Sequence, residues 1–158
     1  MATNLILEAN NLLKDGGFEY AFCGGQAIDL FLGYESRVHG LQDNYSKNTK
    51  GCVFHLCLAV CRESDPGVIM GWCGLDGTRS HTEPEIFIIL NEAYQNKGYG
   101  SWCVKEILRM AVEEYDLQSV HGGCAKDNIA SGRVMEKAGM VQYGTQDNGD
   151  PVFRFVRR

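Results

Sequence analysis

A chain of 158 residues, 44% hydrophobic and 22% charged, has the size and composition of one folded domain, which excludes a disordered tract. Its formal net charge of -5 argues against nucleic acid or an anionic membrane as the main partner and mildly favours cationic substrates such as amines. No apolar run approaches the roughly 18 residues that span a bilayer, and the opening MATNLILEANNLL has neither a basic leader nor a cleavage site, so a cytoplasmic protein is expected.

From the start of the chain, Leu5, Ile6, Ala9, Leu12 and Leu13 recur at helical spacing until KDGG (14–17) ends the helix. FEYAFC (18–23) reads as a short strand and QAIDLFLG (26–33) as a further helical turn or two. Residues 34–51 are polar, dotted with glycine and without a period, which marks a long loop. VFHLCLAVCR (53–62) and VIMGWCGLDG (68–77) are strand-like runs separated by ESDPG, and read as an antiparallel hairpin turning at Pro66 and Gly67. EIFIIL (85–90) is the most apolar strand and is expected at the centre of the sheet.

Val104, Ile107, Leu108, Ala111 and Tyr115 then define an amphipathic helix over 101–115. SVHGGCA (119–125) is a weaker strand. Asp127 or Asn128 caps a helix over 129–138 that Gly139 terminates. MVQYGT and PVFRFVRR form a closing hairpin around Asn148-Gly149. Seven cysteines, odd in number and without a C-x-x-C pair, predict small buried thiols and neither a disulfide framework nor a metal site. This order of elements predicts an α+β fold, a mixed and mostly antiparallel sheet flanked by helices, in one domain spanning 1–158.

The chemistry concentrates in AYQNKGYGSW (93–102). A glycine turn between an apolar strand and a helix either turns a corner or presents backbone N–H groups to an anion at the positive end of the helix dipole. Gly98 and Gly100 permit close approach of a ligand, Lys97 supplies a charge and Ser101 a hydroxyl. The spacing is neither that of a P-loop nor that of a dinucleotide fingerprint.

A second segment, NIASGRVMEKAGM (128–140), follows. The pair Q-x-x-G-x-G and N-x-x-S-x-x-x-x-E-K-x-G-M resembles the two signatures of the GNAT superfamily of acetyl-CoA-dependent N-acetyltransferases, closest to the branch of ribosomal-protein alanine acetyltransferases. The likeness covers residues 53–157. It implies a splay between strands 85–90 and 119–125 that admits acetyl-CoA as co-substrate. On that likeness the pyrophosphate lies on the N–H groups of Gln95, Asn96, Lys97, Gly98, Tyr99, Gly100 and Ser101. The pantetheine arm pairs with Ile88, Ile89 and Leu90 and meets Asn128, and an N–H near Ile89 or Leu90 steadies the oxyanion.

The resemblance further implies Glu85 as the base, acting through water, with Glu83 as its substitute. Alternation puts Glu85, Phe87 and Ile89 on one strand face. Many relatives carry a tyrosine acid seven residues after the asparagine, where this chain has Met135. The branch resembled here offers Ser131 for contact with the departing thiolate, although a helix-start serine also serves local backbone. His55 and His121 read as core or surface histidines. The acceptor expected is a small-molecule amine or a protein N-terminus, and family members often pair as homodimers. A CoA-binding module without catalysis is the alternative.

The front of the chain is atypical for that family. CGGQAIDLFLGYESRVHG (23–40) resembles the opening of aminoglycoside and lincosamide nucleotidyltransferases, in which a G-G-x-A-x-D helix start precedes R-x-H-x-D-x-D, whose carboxylates hold magnesium. Here Leu41 replaces the first of those carboxylates and only Asp43 remains. Segment 1–45 is therefore expected to be either a remnant of such a domain or a replacement front for the acetyltransferase.

Overall fold

The computed structural model describes residues 47–62 and 65–157. The helices and strand expected before residue 47, and the nucleotidyltransferase-like stretch with Leu41 and Asp43, lie outside the described residues. Six strands form one sheet: β1 (His55–Arg62), β2 (Asp65–Asp76), β3 (Glu85–Leu90), β4 (Ser119–Gly123), β5 (Val141–Thr145) and β6 (Pro151–Val156). Their order is β1-β2-β3-β4-β6-β5, antiparallel throughout except for β3 beside β4. Two parallel strands need a crossover, and α1 (Tyr99–Glu113) supplies it, followed after β4 by α2 (Ile129–Lys137). The expected α+β fold is the fold observed.

EIFIIL occupies its expected span and central place, and its alternation is the expected one. Ile86, Ile88 and Leu90 belong to the core with Cys73 and Leu75 of β2, while Glu85, Phe87 and Ile89 face the other way. Against that core face α1 lays Cys103, Val104, Ile107, Leu108 and Ala111, all buried. The apolar stripe read from the sequence is therefore the packed one. Met135 of α2, Val120 of β4, Phe153 of β6 and the following Met140 complete the same cluster.

Three boundaries differ from the sequence reading for local reasons. Pro66 and Gly67 stand inside β2, and the turn falls between Arg62 and Asp65, which are paired. There β2 has run past the end of β3, since Gly71 pairs with Leu90, and a proline is tolerated where its nitrogen faces no neighbouring strand. Helix α1 starts two residues early, on Gly98, and stops at Glu113, because Asp116 takes a left-handed φ of 54°. The closing hairpin is not a two-residue Asn-Gly turn. Gly149 N–H donates to Gln146 O (2.9 Å) and Gln146 N–H to Asp150 O (2.8 Å). Only Gly149 (φ 91°) has a positive φ there, the geometry of a three-residue loop closed by a glycine bulge.

Cys57, Cys73 and Cys103 are buried and unlinked, as expected for structural thiols. Burial pushes the Cys57 thiol up to about 12. Among the described residues there is no group of side chains that would hold a metal ion and no helix long and apolar enough to cross a membrane.

Candidate functional site

The sheet opens at its middle. Strands β3 and β4 pair at one position, Glu85 opposite His121, where His121 N–H donates to Pro84 O at 2.9 Å. Beyond that point β3 has no partner on its β4 side among the described residues. The register with β2 decides which groups line the gap. Asn91 N–H donates to Met70 O, so the residues of β3 with odd numbers exchange hydrogen bonds with β2 and the even ones do not. The N–H and C=O groups of Ile88 and Leu90 thus face the opening, whereas those of Ile89 are turned to Trp72. Gln95 Nε2 donates to Leu90 O at 2.9 Å, on that open side.

The turn after β3 is ordered by its own side chains. Asn91 Oδ1 accepts from Ala93 N–H (3.0 Å) and starts a single 3-10 turn over Glu92–Tyr94. The backbone then takes left-handed conformations at Asn96 (φ 57°) and Gly98 (φ 86°). Alternation of hand over successive residues turns their N–H groups into one concavity. A Cβ on Gly98 would meet nothing within 4 Å, so the φ and not the space requires glycine there. No side chain caps α1, and its first turn holds no acidic residue. Among the described residues the amides of Tyr99, Gly100 and Ser101 have no acceptor outside the helix, the condition under which a helix start can meet an anion. Lys97 Nζ is engaged with Ala93 O at 2.7 Å.

Helix α2 brings the second motif to this turn. A Cβ on Gly100 would lie 3.3 Å from Val134 Cγ2 and 3.9 Å from Leu90 Cδ1, so both helices and the end of β3 meet there. Asn128 is the N-cap, its Oδ1 accepting from Ser131 N–H at 3.1 Å. The Ser131 hydroxyl makes no hydrogen bond among the described residues. Met135 points the other way, into the core at 5% exposure, with its Sδ 2.8 Å from where a Cβ on Gly122 would stand. It fills the space that Gly122 leaves.

A model of the Acetyltransferase (GNAT) domain matches residues 31–141. The chain belongs to this GNAT acetyltransferase family. The match starts earlier than the likeness read from the motifs, inside the atypical front. Among curated relatives, the Uncharacterized N-acetyltransferase YnaD of Bacillus subtilis (strain 168) is 42% identical over 60 residues, which are 38% of this chain and 35% of that protein. The alignment thus spans about a third of the relative. Ribosomal-protein-S5-alanine acetyltransferase from Vibrio fischeri superposes with a TM-score of 0.71 at 15% identity, over 98% of this chain and 88% of its own. A spermidine/spermine N-acetyltransferase SpeG from Vibrio cholerae gives 0.60 at 16% identity over 78% of each chain. These structures share the fold.

On the GNAT sheet's other face, away from α1 and α2, lies a polar group that the sequence did not reveal. Glu83 Oε1 accepts from Ser119 Oγ (2.6 Å) and Arg154 Nη2 (2.5 Å), and Ser119 is 97% buried in the sense that 3% of it is exposed. The hydrogen bonds from Ser119 and then Arg154 hold the Glu83 carboxyl below its usual range. Its other oxygen lies 3.4 Å from His121 Nε2, and His121 Nδ1 lies 3.0 Å from Tyr143 Oη. Glu85 is beside them, half-exposed, 4.0 Å from Arg79 Nη1. Gly123 adjoins it, and a Cβ there would lie in ordinary contact, 3.7 Å from Glu85 Oε1.

Glu83 itself is a poor proton acceptor, because its partners favour the charged form. A carboxyl lowered on folding stabilises the fold above the ordinary carboxylate range, about 4.3, and that stability is lost as pH falls through the folded value. Glu83→Gln is expected to destabilise the fold at pH 7 by about 1 kcal/mol or less for so exposed a cluster, read as a small drop in the thermal midpoint. The gap to the unsubstituted protein narrows below about pH 4, as denaturation scans across pH will read.

Proposed function

We propose that the chain transfers an acetyl group from acetyl-CoA to a primary amine by direct attack. The observation that carries this reading is an uncapped helix start behind a left-handed turn, set at the open end of a splayed strand pair. The pyrophosphate is held by the N–H groups of residues 95–101, with Gly98 and Gly100 letting it approach. The pantetheine arm runs along residues 88–90, where Ile88 and Leu90 offer the cleft-facing N–H and C=O groups, and Asn128 Nδ2 is available to it. A cleft-facing N–H of that strand meets the thioester oxygen as negative charge grows on it.

Glu85 accepts a proton from the amine through water. It stands three residues before Ile88, about 10 Å along an extended strand, too far for direct transfer. Ser131, whose hydroxyl is uncommitted at the start of α2, faces the departing thiolate. Met135 is no substitute for a tyrosine acid, and its burial accounts for it as packing. The acceptor is a small-molecule amine or a protein N-terminus.

Calorimetry with acetyl-CoA tests the donor site, and thiol release across spermidine, aminoglycosides and peptides with N-terminal alanine tests transfer. Binding without turnover of any amine would make the chain a CoA-binding module, and absence of binding would sink the reading. Gly98→Val forces a β-branched residue into the left-handed region at about 1–2 kcal/mol. The Kd for acetyl-CoA is therefore expected to rise roughly tenfold, with little change in fold by circular dichroism.

A further inference from the structure

We infer that Glu83, His121 and Tyr143 form a proton relay in which the Tyr143 hydroxyl accepts the first proton of the incoming ammonium, an assignment that rests on the acetyl-transfer reading. The three side chains come from the segment before β3, from β4 and from β5, and they meet on the face that also carries Glu85. The geometry assigns the direction of the hydrogen bonds. Glu83 is held as a carboxylate by Ser119 and Arg154, so it can only accept. His121 Nε2, 3.4 Å from it, therefore carries the ring proton. That leaves the Nδ1 lone pair to accept from the Tyr143 hydroxyl at 3.0 Å. The phenolic oxygen is left with free lone pairs on a side chain that is 56% exposed.

A carboxylate orienting an imidazole, which in turn faces a hydroxyl, is the connectivity by which proteins raise the basicity of an oxygen. The chemistry asks for such a group beside Glu85. A primary amine arrives as an ammonium and must lose one proton to expose its lone pair. After that lone pair bonds to the thioester carbon and the C–S bond breaks, the nitrogen must lose a second. One proton ends on the thiolate and one in solvent. In the relay the ammonium's proton passes to Tyr143 Oη as the phenolic proton passes to His121 Nδ1. The resulting imidazolium sits against Glu83 and later returns its proton to water. Imidazole is the side chain whose proton affinity best suits this duty near neutrality. The charged and titratable groups around it are Glu83, Glu85 with Arg79, Tyr143, and Arg154 of β6 between β4 and β5. Tyr143 is the catalytic residue of this set, and His121 and Glu83 position it.

The test compares the unsubstituted protein with Tyr143→Phe and His121→Gln in acetyl transfer to spermidine and to a peptide with N-terminal alanine, from pH 6.5 to 10. At pH 7 both variants are expected to lose about 10- to 100-fold in kcat/KM for the amine, with the KM for acetyl-CoA within twofold. The loss should shrink as pH approaches the amine's own pKa, because the amine then arrives unprotonated. A purely structural role would not be relieved by pH. If the unsubstituted protein turns over these amines and the variants match it at pH 7, or fall short equally at every pH, the relay is overturned while acetyl transfer stands. If the unsubstituted protein binds acetyl-CoA and transfers to no amine, the acetyl-transfer reading falls and takes the relay with it.

Discussion

Glu85→Gln is expected to lower kcat for amine acetylation by about 10²- to 10³-fold at pH 7, within the range for loss of a general base, while the KM for acetyl-CoA stays within twofold. The separation of the two effects follows from where Glu85 sits. It is the first residue of β3, at the pairing point with His121. The groups proposed to bind the donor begin three residues later and continue into the turn at residues 95–101. Glutamine keeps the length of the side chain and its place beside Gly123, so neither β3 nor the opening should shift. Glu85 is half-exposed, and Arg79 Nη1 stands 4.0 Å from its carboxylate. The substitution therefore breaks no buried pair, and the thermal midpoint should move little. Steady-state kinetics with both substrates varied will separate the outcomes. A kcat within twofold of the unsubstituted protein would remove Glu85 from the chemistry and leave the proton to the Tyr143 relay alone. A rise in the KM for acetyl-CoA would mean instead that the carboxylate supports the donor site.

What the sequence disclosed and what it concealed divide by range of interaction. The apolar run of β3, the stripe of α1, the Asn128 cap and the left-handed Gly98 and Gly139 are local, since each depends on residues within a turn or two. All of these were legible. The glycine turn was legible as a candidate anion site because its partner motif lies on the next helix. His121 was read as a core or surface histidine for want of a register. Only the pairing of Glu85 with His121, across a crossover, brings it to the opening, and parallel pairing leaves no local mark. Glu83 was named only as a substitute for Glu85, and its contacts with Ser119 and Arg154 were silent, because those partners come from β4 and β6. The choice of Ile88 and Leu90 over Ile89 as cleft-facing amides needed the hydrogen-bond parity with β2. Alternation of side chains alone says nothing about which edge a backbone group faces. Met135 shows the reverse case, in which a motif position that looked like a missing acid is explained by the bare Gly122 beneath it.

Phe153→Ala should cost about 3–5 kcal/mol, the usual price of emptying a buried aromatic site, and lower the thermal midpoint by roughly 10 °C or more. Phe153 is 2% exposed, and on β6 it pairs with Gly122 on one side and Gln142 on the other. Its ring tip lies 3.7 Å from where a Cβ on Gly132 would stand. It is therefore the floor on which α2 rests, and α2 carries Asn128 and Ser131 at its start. Since domains are stable by only about 5–15 kcal/mol, the substitution uses up a large part of the whole. Its effect should not stop at stability. With the floor removed, α2 loses the contact that fixes its approach to Val134, Gly100 and the turn, so acetyl-CoA should bind more weakly as well. A ligand that binds only the folded state raises the midpoint according to its concentration over Kd. The shift produced by a fixed, saturating-for-native concentration of acetyl-CoA is thus expected to be smaller in Phe153→Ala than in the unsubstituted protein. Phe153→Leu, which refills most of the space, should recover most of both quantities. An equal ligand-induced shift in the alanine variant would mean that α2 is held in place by its contact with α1 alone, and that the sheet beneath it contributes only to stability.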